Sequence, residues 1–185
     1  QALGKAPTSS FVWEQQARLH ELLGQHQAAE AAYGTALQLN GANIDGLAAH
    51  ARHLALMGRL DLALPLARRA IEAVPPLEVP DWFHCVPAMA ALSDNAFQQA
   101  ERLAQRCGRV DTELGPILVL LAAQGANDAS MLGQALPRIL EASTFRSSGI
   151  MARLEYRIAD NTLLEEVEAA LREAGVPEKN LVSAY

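Results

Sequence analysis

Apolar residues recur at intervals of three and four positions along most of the chain, which is the spacing of one face of an α-helix. Glycine, asparagine or proline interrupts this pattern repeatedly, as is usual where helices end. The pattern predicts ten helices, which span roughly residues 10–23, 25–39, 44–57, 59–74, 81–92, 97–107, 112–124, 128–142, 145–158 and 162–174. We therefore predict an all-α fold of about five antiparallel helix pairs.

The helical pattern repeats with a period of 34 residues. A shift by this period places small residues, arginines and glycines on one another: Ala17 on Ala51, Arg18 on Arg52, Gly24 on Gly58, Ala29 on Ala63 and Ala36 on Ala70. Small residues let two helix axes approach closely, and glycine readily adopts the left-handed conformation that ends a helix. Each period is therefore predicted to be one helix, a tight turn and a second helix packed on the first.

This arrangement resembles the tetratricopeptide repeat. The first two copies supply its pattern residues: Trp13, Ala17, Gly24, Ala29, Tyr33 and Ala36, then Leu47, Ala51, Leu54, Gly58, Ala63, Ala67, Ala70 and Pro75. A third copy is degenerate, and a fourth is only similar to the repeat. The resemblance implies an α-α superhelix with repeats at 10–43, 44–77, 78–110 and 111–142, a flexible segment 1–9, a capping helix pair 143–177 and a frayed tail 178–185.

Turn residues, caps and prolines set the expected helix boundaries. Asn95 and Gly125 stand at the third and fourth predicted turns, and Thr162 and Glu165 form a capping box at the start of the last helix. Three prolines fall inside predicted helices, where each removes a hydrogen bond: Pro65, Pro87 and Pro137. Either these helices kink at the prolines or their boundaries lie one turn away.

The composition argues against several classes of protein. Half of the residues are hydrophobic, which is typical of an ordered chain, and Ala and Leu favour helices. The net charge of −6, with 15 scattered Lys and Arg, argues against a nucleic-acid partner. The longest apolar run, 117–123, is too short to insert across a membrane. Because the sequence has no phosphate loop, nucleophile elbow or paired-carboxylate motif, it predicts neither enzyme activity nor a cofactor.

The cysteines and two of the histidines indicate packing roles. Cys85 and Cys107 form no metal or redox motif, so each is predicted to be a small helix-packing residue. A disulfide between them is conceivable if their helices pair. His50 and His53 have a spacing compatible with metal ligation, but no local cysteine or carboxylate completes a ligand set. We expect both histidines to lie on a packed or exposed face, and we predict no metal site.

The resemblance also implies a binding surface, because the first helix of each tetratricopeptide pair lines a concave groove that usually holds a peptide or a partner helix. The matching positions here are Phe11, Glu14, Arg18, Glu21, Asp45, Ala48, Arg52, Ala55, Trp82, Cys85, Met89 and Leu92. Arg18 and Arg52 occupy equivalent positions and could grip carboxylates beside an apolar floor around Trp82 and Met89. Alternatively, the two arginines form ordinary surface ion pairs with acidic neighbours. The candidate binding residues are Glu14, Arg18, Arg52, Trp82 and Met89.

The end of the chain resembles certain bacterial signalling proteins. Residues 171–178 are similar to the ends of class III adenylate cyclases and winged-helix regulators that carry a C-terminal tetratricopeptide region. The chain begins at Gln1 without a methionine, which suggests a piece of a longer protein. We therefore expect a protein-interaction scaffold that binds a peptide, a helix or a neighbouring domain.

Two alternative functions remain open. In the first, apolar and alanine-rich outer helices form a homodimer. In the second, which is less favoured, the chain is a small-molecule sensor or an enzyme, which requires an enclosed cavity with converging polar groups. The expected location is cytoplasmic by default, or periplasmic if the chain follows a transmembrane helix in a parent protein.

Overall fold

The computed structural model describes residues 8–182. Within this range it contains α-helices, one short 3-10 helix at Asp81–His84, and no strand. The α-helices are α1 (Ser10–Leu22), α2 (His26–Leu39), α3 (Ile44–Leu56), α4 (Leu60–Glu72), α5 (Cys85–Ser93), α6 (Phe97–Cys107), α7 (Leu114–Gly125), α8 (Ala129–Glu141), α9 (Ser143–Ser148), α10 (Ile150–Arg157), α11 (Asn161–Glu173) and α12 (Glu178–Leu181). The predicted all-α fold is confirmed. Most of the predicted flexible segment 1–9, namely residues 1–7, lies outside the described residues.

Three features of the C-terminal part differ from the prediction. Residues 145–158 were expected to form one helix, but Gly149 has a φ of +81° and separates α9 from α10. Residues 178–181 form α12 rather than a frayed tail, because Leu181 is fully buried in the core. The cap of α11 is Asp160, whose carboxylate accepts a hydrogen bond from the backbone N–H of Thr162, instead of the expected capping box. The rest of the predicted tail, 183–185, lies outside the described residues.

The first eight helices pack as consecutive pairs, α1 with α2, α3 with α4, α5 with α6, and α7 with α8. The residue that reverses the chain inside each pair has a positive φ: Gly24 at +66°, Gly58 at +75°, Asn95 at +56° and Asn127 at +55°. The first three turns lie where the sequence predicted them. The fourth lies at Asn127 rather than at Gly125, which is the last residue of α7.

Equivalent positions around these turns are buried in every pair. The residues seven positions before the turn are fully buried: Ala17, Ala51, Ala88 and Leu120. The residues twelve positions after the turn are also fully buried: Ala36, Ala70, Cys107 and Ile139. The first three pairs use small residues at both positions, whereas the fourth uses leucine and isoleucine. The fourth pair thus keeps the register of the repeat without its small residues.

The C-terminal helices return to the beginning of the chain. The Tyr156 hydroxyl on α10 donates a hydrogen bond to the carbonyl of Leu22 at 2.8 Å. The backbone N–H of Ala159, just after α10, donates to the carbonyl of Leu56 at 3.0 Å. The next helix, α11, packs on α7. Residues 143–177 therefore contact the ends of α1 and α3 as well as the fourth pair.

Cys85 and Cys107 form a disulfide bond. The prediction that they are separate packing residues is therefore wrong. Cys85 is the first residue of α5 and Cys107 is the last residue of α6, so the antiparallel pairing of these helices brings the two ends together. The bridge ties the third helix pair at the end opposite to its turn.

The three prolines are accommodated in two ways. Pro87 is the third residue of α5, where a backbone N–H would have no partner within the helix. The predicted boundary was wrong because the segment starts as a 3-10 helix. Pro65 and Pro137 lie inside α4 and α8, and both helices continue through them.

Candidate functional site: the Arg52 cavity

A cavity of about 550 Å³ lies between the first helices of the chain and its C-terminal helices. We call it the Arg52 cavity. Its wall combines α1, the first residue of α2, α3, the 3-10 helix, the segment between α6 and α7, α9 and α10. The lining side chains that carry charge or a large ring are Arg18, Glu21, His26, Arg52, His53, Trp82, Asp111, Glu113, Arg153, Tyr156 and Arg157.

Arg18 and Arg52 converge on Trp82. Their guanidinium carbons lie 5.4 Å and 5.8 Å from the centre of the indole ring, within the range of a cation–π contact. The 34-residue repeat accounts for this arrangement, because it places the two arginines at the same position of consecutive first helices. Three of the five candidate residues are thus brought together in one wall of the Arg52 cavity.

Trp82 is held in place by the third helix pair. Its ring packs edge-on against Phe83, with ring centres 4.6 Å apart. The preceding residue, Asp81, accepts a hydrogen bond from Nε of Arg106 on α6 at 2.8 Å. This bond lowers the pKa of Asp81, so the contact persists at neutral pH. The 3-10 helix that carries Trp82 is therefore anchored to α6.

Glu14 lies behind the cavity wall and does not line it. Its carboxylate is buried and accepts hydrogen bonds from Nε of Arg18 at 2.9 Å and from Nδ2 of Asn43 at 3.0 Å. Asn43 is also the N-cap of α3, since its Oδ1 accepts from the N–H of Gly46. Glu14 therefore orients Arg18. Arg18 forms an ion pair with an acidic neighbour, as the alternative interpretation of the two arginines predicted.

Arg52, unlike Arg18, has no carboxylate oxygen within hydrogen-bond distance. Its nearest carboxylate oxygens, on Asp111 and Glu21, lie 3.7 Å and 3.9 Å from its terminal nitrogens, beyond hydrogen-bond distance. Its Nε is shielded from solvent and has no hydrogen-bond partner among the described residues. A buried donor without an acceptor is costly. Arg52 lacks a close acceptor, and Nδ1 of His26 is a second buried atom of the cavity lining without a partner among the described residues.

Met89 does not join the other candidates. It is buried and lines a second cavity of about 670 Å³, between α3, α5, α7 and α11. The expected apolar floor around Trp82 and Met89 is therefore divided between two cavities. Ala55 and Leu92, which the repeat register assigned to the same groove, also line the second cavity.

The far wall of the Arg52 cavity is a network of buried ion pairs. Arg157 donates to Asp111 at 2.7 Å and to Glu113 at 2.6 Å, and Arg153 donates to Glu113 at 3.0 Å. Burial alone would raise the pKa of Asp111, but the hydrogen bonds and charge of Arg157 lower it to about 2. The pKa of Glu113 is also lowered, since hydrogen bonds from Thr144, Arg153 and Arg157 outweigh its burial.

Glu21 closes the network on the side of α1. It accepts hydrogen bonds from the Tyr33 hydroxyl at 2.5 Å and from Nδ1 of His53 at 3.3 Å. Burial would raise the pKa of Glu21, but these bonds and the charge of Arg52 lower it. All three acidic side chains in the cavity therefore remain charged at neutral pH.

His50 and His53 do not form a metal site with other side chains. His53 is fixed by Glu21 and by the backbone carbonyl of His26, 3.1 Å from its Nε2. His50 stacks on Tyr33 with ring centres 5.4 Å apart, and burial lowers its pKa. Within residues 8–182, no group of three or more His, Cys, Asp or Glu side chains could hold a metal ion.

Four charged residues of the cavity were not anticipated: Asp111, Glu113, Arg153 and Arg157. Two signals in the sequence pointed to them. Arg153 and Arg157 are four residues apart and so share one face of a helix. Asp111 and Glu113 flank Thr112 in a connection between helices. Nothing in the sequence pairs these two segments, which are about 40 residues apart.

Comparisons with known proteins give no match: no protein-family model, no curated protein and no solved structure is similar to the chain. No helix in the described part of the chain is both long and apolar enough to cross a membrane.

Proposed function

We propose that the chain is a tetratricopeptide-type α-α superhelix that acts as a protein-interaction module, and that its partner places a carboxylate against Arg52 and Trp82. The observation that carries this proposal is the position of Arg52 in the cavity wall, with no carboxylate oxygen within hydrogen-bond distance of its terminal nitrogens. A bound carboxylate would accept hydrogen bonds from the planar guanidinium through both of its oxygens.

The recurrence of the turns supports the superhelix. Positive-φ residues at 24, 58, 95 and 127 stand near the 34-residue interval expected of the repeat. Helix α3 packs on both α1 and α2, and α5 packs on both α3 and α4, which is the contact order of stacked pairs. Residues 171–178 also support the proposal that the chain is the regulatory part of a larger bacterial signalling protein.

The charges around Arg52 favour a single negative charge. Asp111 and Glu21 stand within 4 Å of its guanidinium, so a dianion such as phosphate would meet two fixed carboxylates. A carboxylate adds only one charge and can lie along the indole face of Trp82. The partner expected here is therefore a carboxylate with an apolar neighbour, such as the end of a peptide.

We propose a binding role rather than a catalytic one. The acidic side chains of the Arg52 cavity are held by arginine, histidine or tyrosine, and their pKa values are lowered. A general base for catalysis near neutral pH needs a pKa closer to 7. None of these three carboxylates fits that requirement.

A free monocarboxylate with a short apolar chain is a second source of the same chemistry. The cavity volume of about 550 Å³ lies within the range of small-molecule sites, which is roughly 300–1,000 Å³. This observation favours the sensor alternative more than the sequence did. The two sources are distinguished by probes that share the carboxylate and differ in the attached chain.

Calorimetric titration tests the proposal. The full chain is titrated with a pool of random pentapeptides that carry a free C-terminal carboxylate, with the same pool amidated, and with the monocarboxylates butyrate and valerate. We expect micromolar peptide binding that depends on the carboxylate, whereas binding of butyrate or valerate without peptide binding identifies a small-molecule site. Arg52→Met should weaken binding at least about tenfold.

Arg68→Met is the matched control, because Arg68 is an exposed arginine on α4 outside the cavity. It should leave the affinity unchanged. Binding that survives Arg52→Met, or equal affinity for the free and amidated pools, would place the partner elsewhere. Absence of binding to every probe would contradict the carboxylate site.

We also propose that the chain resides in an oxidising compartment, such as the periplasm. The support is the disulfide between Cys85 and Cys107, since such bonds are rare in reducing cytosol. This replaces the cytoplasmic default. Thiol alkylation of native cells before lysis tests it: both cysteines should be protected until a reductant is added, and labelling of both without a reductant would contradict the proposal.

A further inference from the structure

One helix carries much of the apolar surface that the chain exposes. Among the described residues, eleven large hydrophobic side chains are exposed, and five of them lie on α1 or its first following residue: Phe11, Val12, Leu19, Leu22 and Leu23. The exposed fraction of these five ranges from 44 % for Val12 to 67 % for Leu22. The remaining six are distributed over other segments. The five residues, which we call the α1 stripe, share one face of the helix, interrupted by the exposed Gln15.

The α1 stripe carries no charge. The exposed residues between its two ends are Gln15 and Gln16. The charged residues of α1 lie beside the stripe rather than in it: Glu14 is buried, and Arg18 and Glu21 line the Arg52 cavity, which Leu22 of the stripe also lines. On a chain with a net charge of −6, an uncharged apolar face is a surface that two copies can bring together without like-charge repulsion.

The repeat register shows what kind of surface this is. A shift of 34 residues places Val12, Leu19 and Leu22 on Gly46, His53 and Leu56 of α3. All three α3 residues are buried, and α3 packs against the preceding pair, α1 and α2. The α1 stripe therefore occupies the face that a pair presents to the pair before it, and no described residue covers it.

We propose that the α1 stripe is the interface of a homodimer, in which two copies of α1 pack antiparallel about a two-fold axis. In this arrangement Phe11 and Val12 of one copy meet Leu22 and Leu23 of the other, and Gln15, which lies within the stripe, is near the axis. Such an isologous contact needs only one patch, which is complementary to itself. This differs from a dimer through alanine-rich outer helices, since their alanines at the repeat positions are buried between helices.

The size of the patch fits a moderate interface. Together with Tyr156, which packs beside Gly24 and is 41 % exposed, the stripe presents on the order of 600 Å² per copy, so that a dimer buries about 1,200 Å². This value lies at the lower end of specific interfaces. We therefore expect dissociation in the micromolar range.

Sedimentation equilibrium of the full chain over about 1–200 µM tests the proposal. The wild type should change from monomer to dimer in this range. Leu19→Glu should raise the dissociation constant at least about tenfold, because it places a charge from each copy in the apolar contact. Leu62→Glu is the matched control, since Leu62 is 47 % exposed on α4, and it should leave the association unchanged.

Cross-linking provides a second measurement that does not depend on a disruptive variant. Gln15→Cys should form a covalent dimer on mild oxidation, because position 15 lies within the stripe and near the two-fold axis. Gln27→Cys, an exposed position on α2, should not. Circular dichroism should show native helix content in every variant, since all four positions are exposed.

Several results would overturn the proposal. They are a monomer at all concentrations, a dimer that Leu19→Glu leaves intact, and equal cross-linking of the two cysteine variants. A monomer whose stripe is protected only when another protein is added would assign the surface to that protein instead. The outcome is separable from carboxylate binding, because Arg52→Met should leave the dimer intact and Leu19→Glu should leave peptide binding intact.

Discussion

At the scale of single residues, the far wall of the Arg52 cavity shows how a charged group is kept inside a helical protein. The Arg157 side chain is 19 % exposed and is surrounded by two carboxylates that are each less than a tenth exposed. Moving such groups out of water costs several kcal/mol per ion, and only direct hydrogen bonds between them offset that cost. The wall is therefore sensitive to the loss of any one partner.

The first prediction concerns this arginine. Arg157→Met should lower the free energy of unfolding by about 3 kcal/mol, because it leaves Asp111 and Glu113 buried without their main partner. Urea denaturation measures the change. Arg146→Met, at an exposed arginine on α9, should change the stability by less than about 0.5 kcal/mol. Equal effects of the two substitutions would contradict the buried network.

The second prediction concerns acid stability. The pKa of Asp111 is about 2 in the folded chain, below its ordinary value of 3.8, so its stabilisation is complete above pH 4 and is lost as the pH falls toward 2. Asp111→Asn should therefore remove about 2 kcal/mol of stability at pH 7 and much less at pH 2.5. Asp94→Asn, at an exposed site, is the control. A difference from the wild type that is the same at both pH values would contradict this assignment.

The residues of the site were predictable where the repeat register governs them. The 34-residue shift predicts that Arg18 and Arg52 share a surface, and the structure places both on Trp82. The repeat register assigned Met89 to the same apolar floor. Met89 instead lines a second cavity, whose walls include α11. That separation depends on a contact between distant segments, which a repeat pattern does not encode.

At the scale of helices and turns, local chemistry accounts for most boundaries. Glycine or asparagine in the left-handed conformation ends the first helix of each of the four pairs, and three of these turns were located from sequence. The division at Gly149 and the added helix α12 were not predicted. The division depends on the burial of Phe145 and Ile150 on either side of Gly149, and α12 depends on the burial of Leu181. The local sequence does not show that these side chains are buried.

A pair of glycine substitutions tests the turn conformation. Gly58 has a φ of +75°, and a Cβ atom there would lie 3.0 Å from the carboxyl carbon of Asp160. Gly58→Ala should therefore destabilise the chain by about 1–2 kcal/mol. Gly34, inside α2, has nothing within 4 Å of a Cβ atom, so Gly34→Ala should stabilise by about 0.5–1 kcal/mol. Thermal unfolding of both variants measures the effects, and shifts of the same sign would contradict the account.

The disulfide is the covalent constraint within the third helix pair. Its cysteines are 22 residues apart, so loss of the bond in the double variant Cys85→Ala, Cys107→Ala should lower the free energy of unfolding by about 3 kcal/mol. The reduced wild type should lose a similar amount. Urea denaturation with and without reductant measures both, and a wild type indifferent to reductant would contradict the bond.

At the scale of the whole molecule, the return of the C-terminal helices determines the shape of the site. Tyr156 and Ala159 bond to the ends of α1 and α3, and α11 lies against α7. The C-terminal helices thereby enclose the surface to which the repeat register assigned the candidate binding residues. Only a cavity remains open there. A partner that reaches Arg52 must therefore present a short end or a small group unless α10 moves.

The fluorescence of Trp82 reports whether a carboxylate binds beside Arg52. In a Trp13→Phe variant, Trp82 is the only tryptophan, and it lies against Arg52 in the cavity wall. Titration with free-carboxylate pentapeptides should change its emission saturably, with a micromolar midpoint that Arg52→Met shifts at least about tenfold. The amidated peptides should have little effect. Peptide binding that leaves Trp82 emission unchanged, or emission changes that are the same for both peptide pools, would contradict a carboxylate site at Arg52.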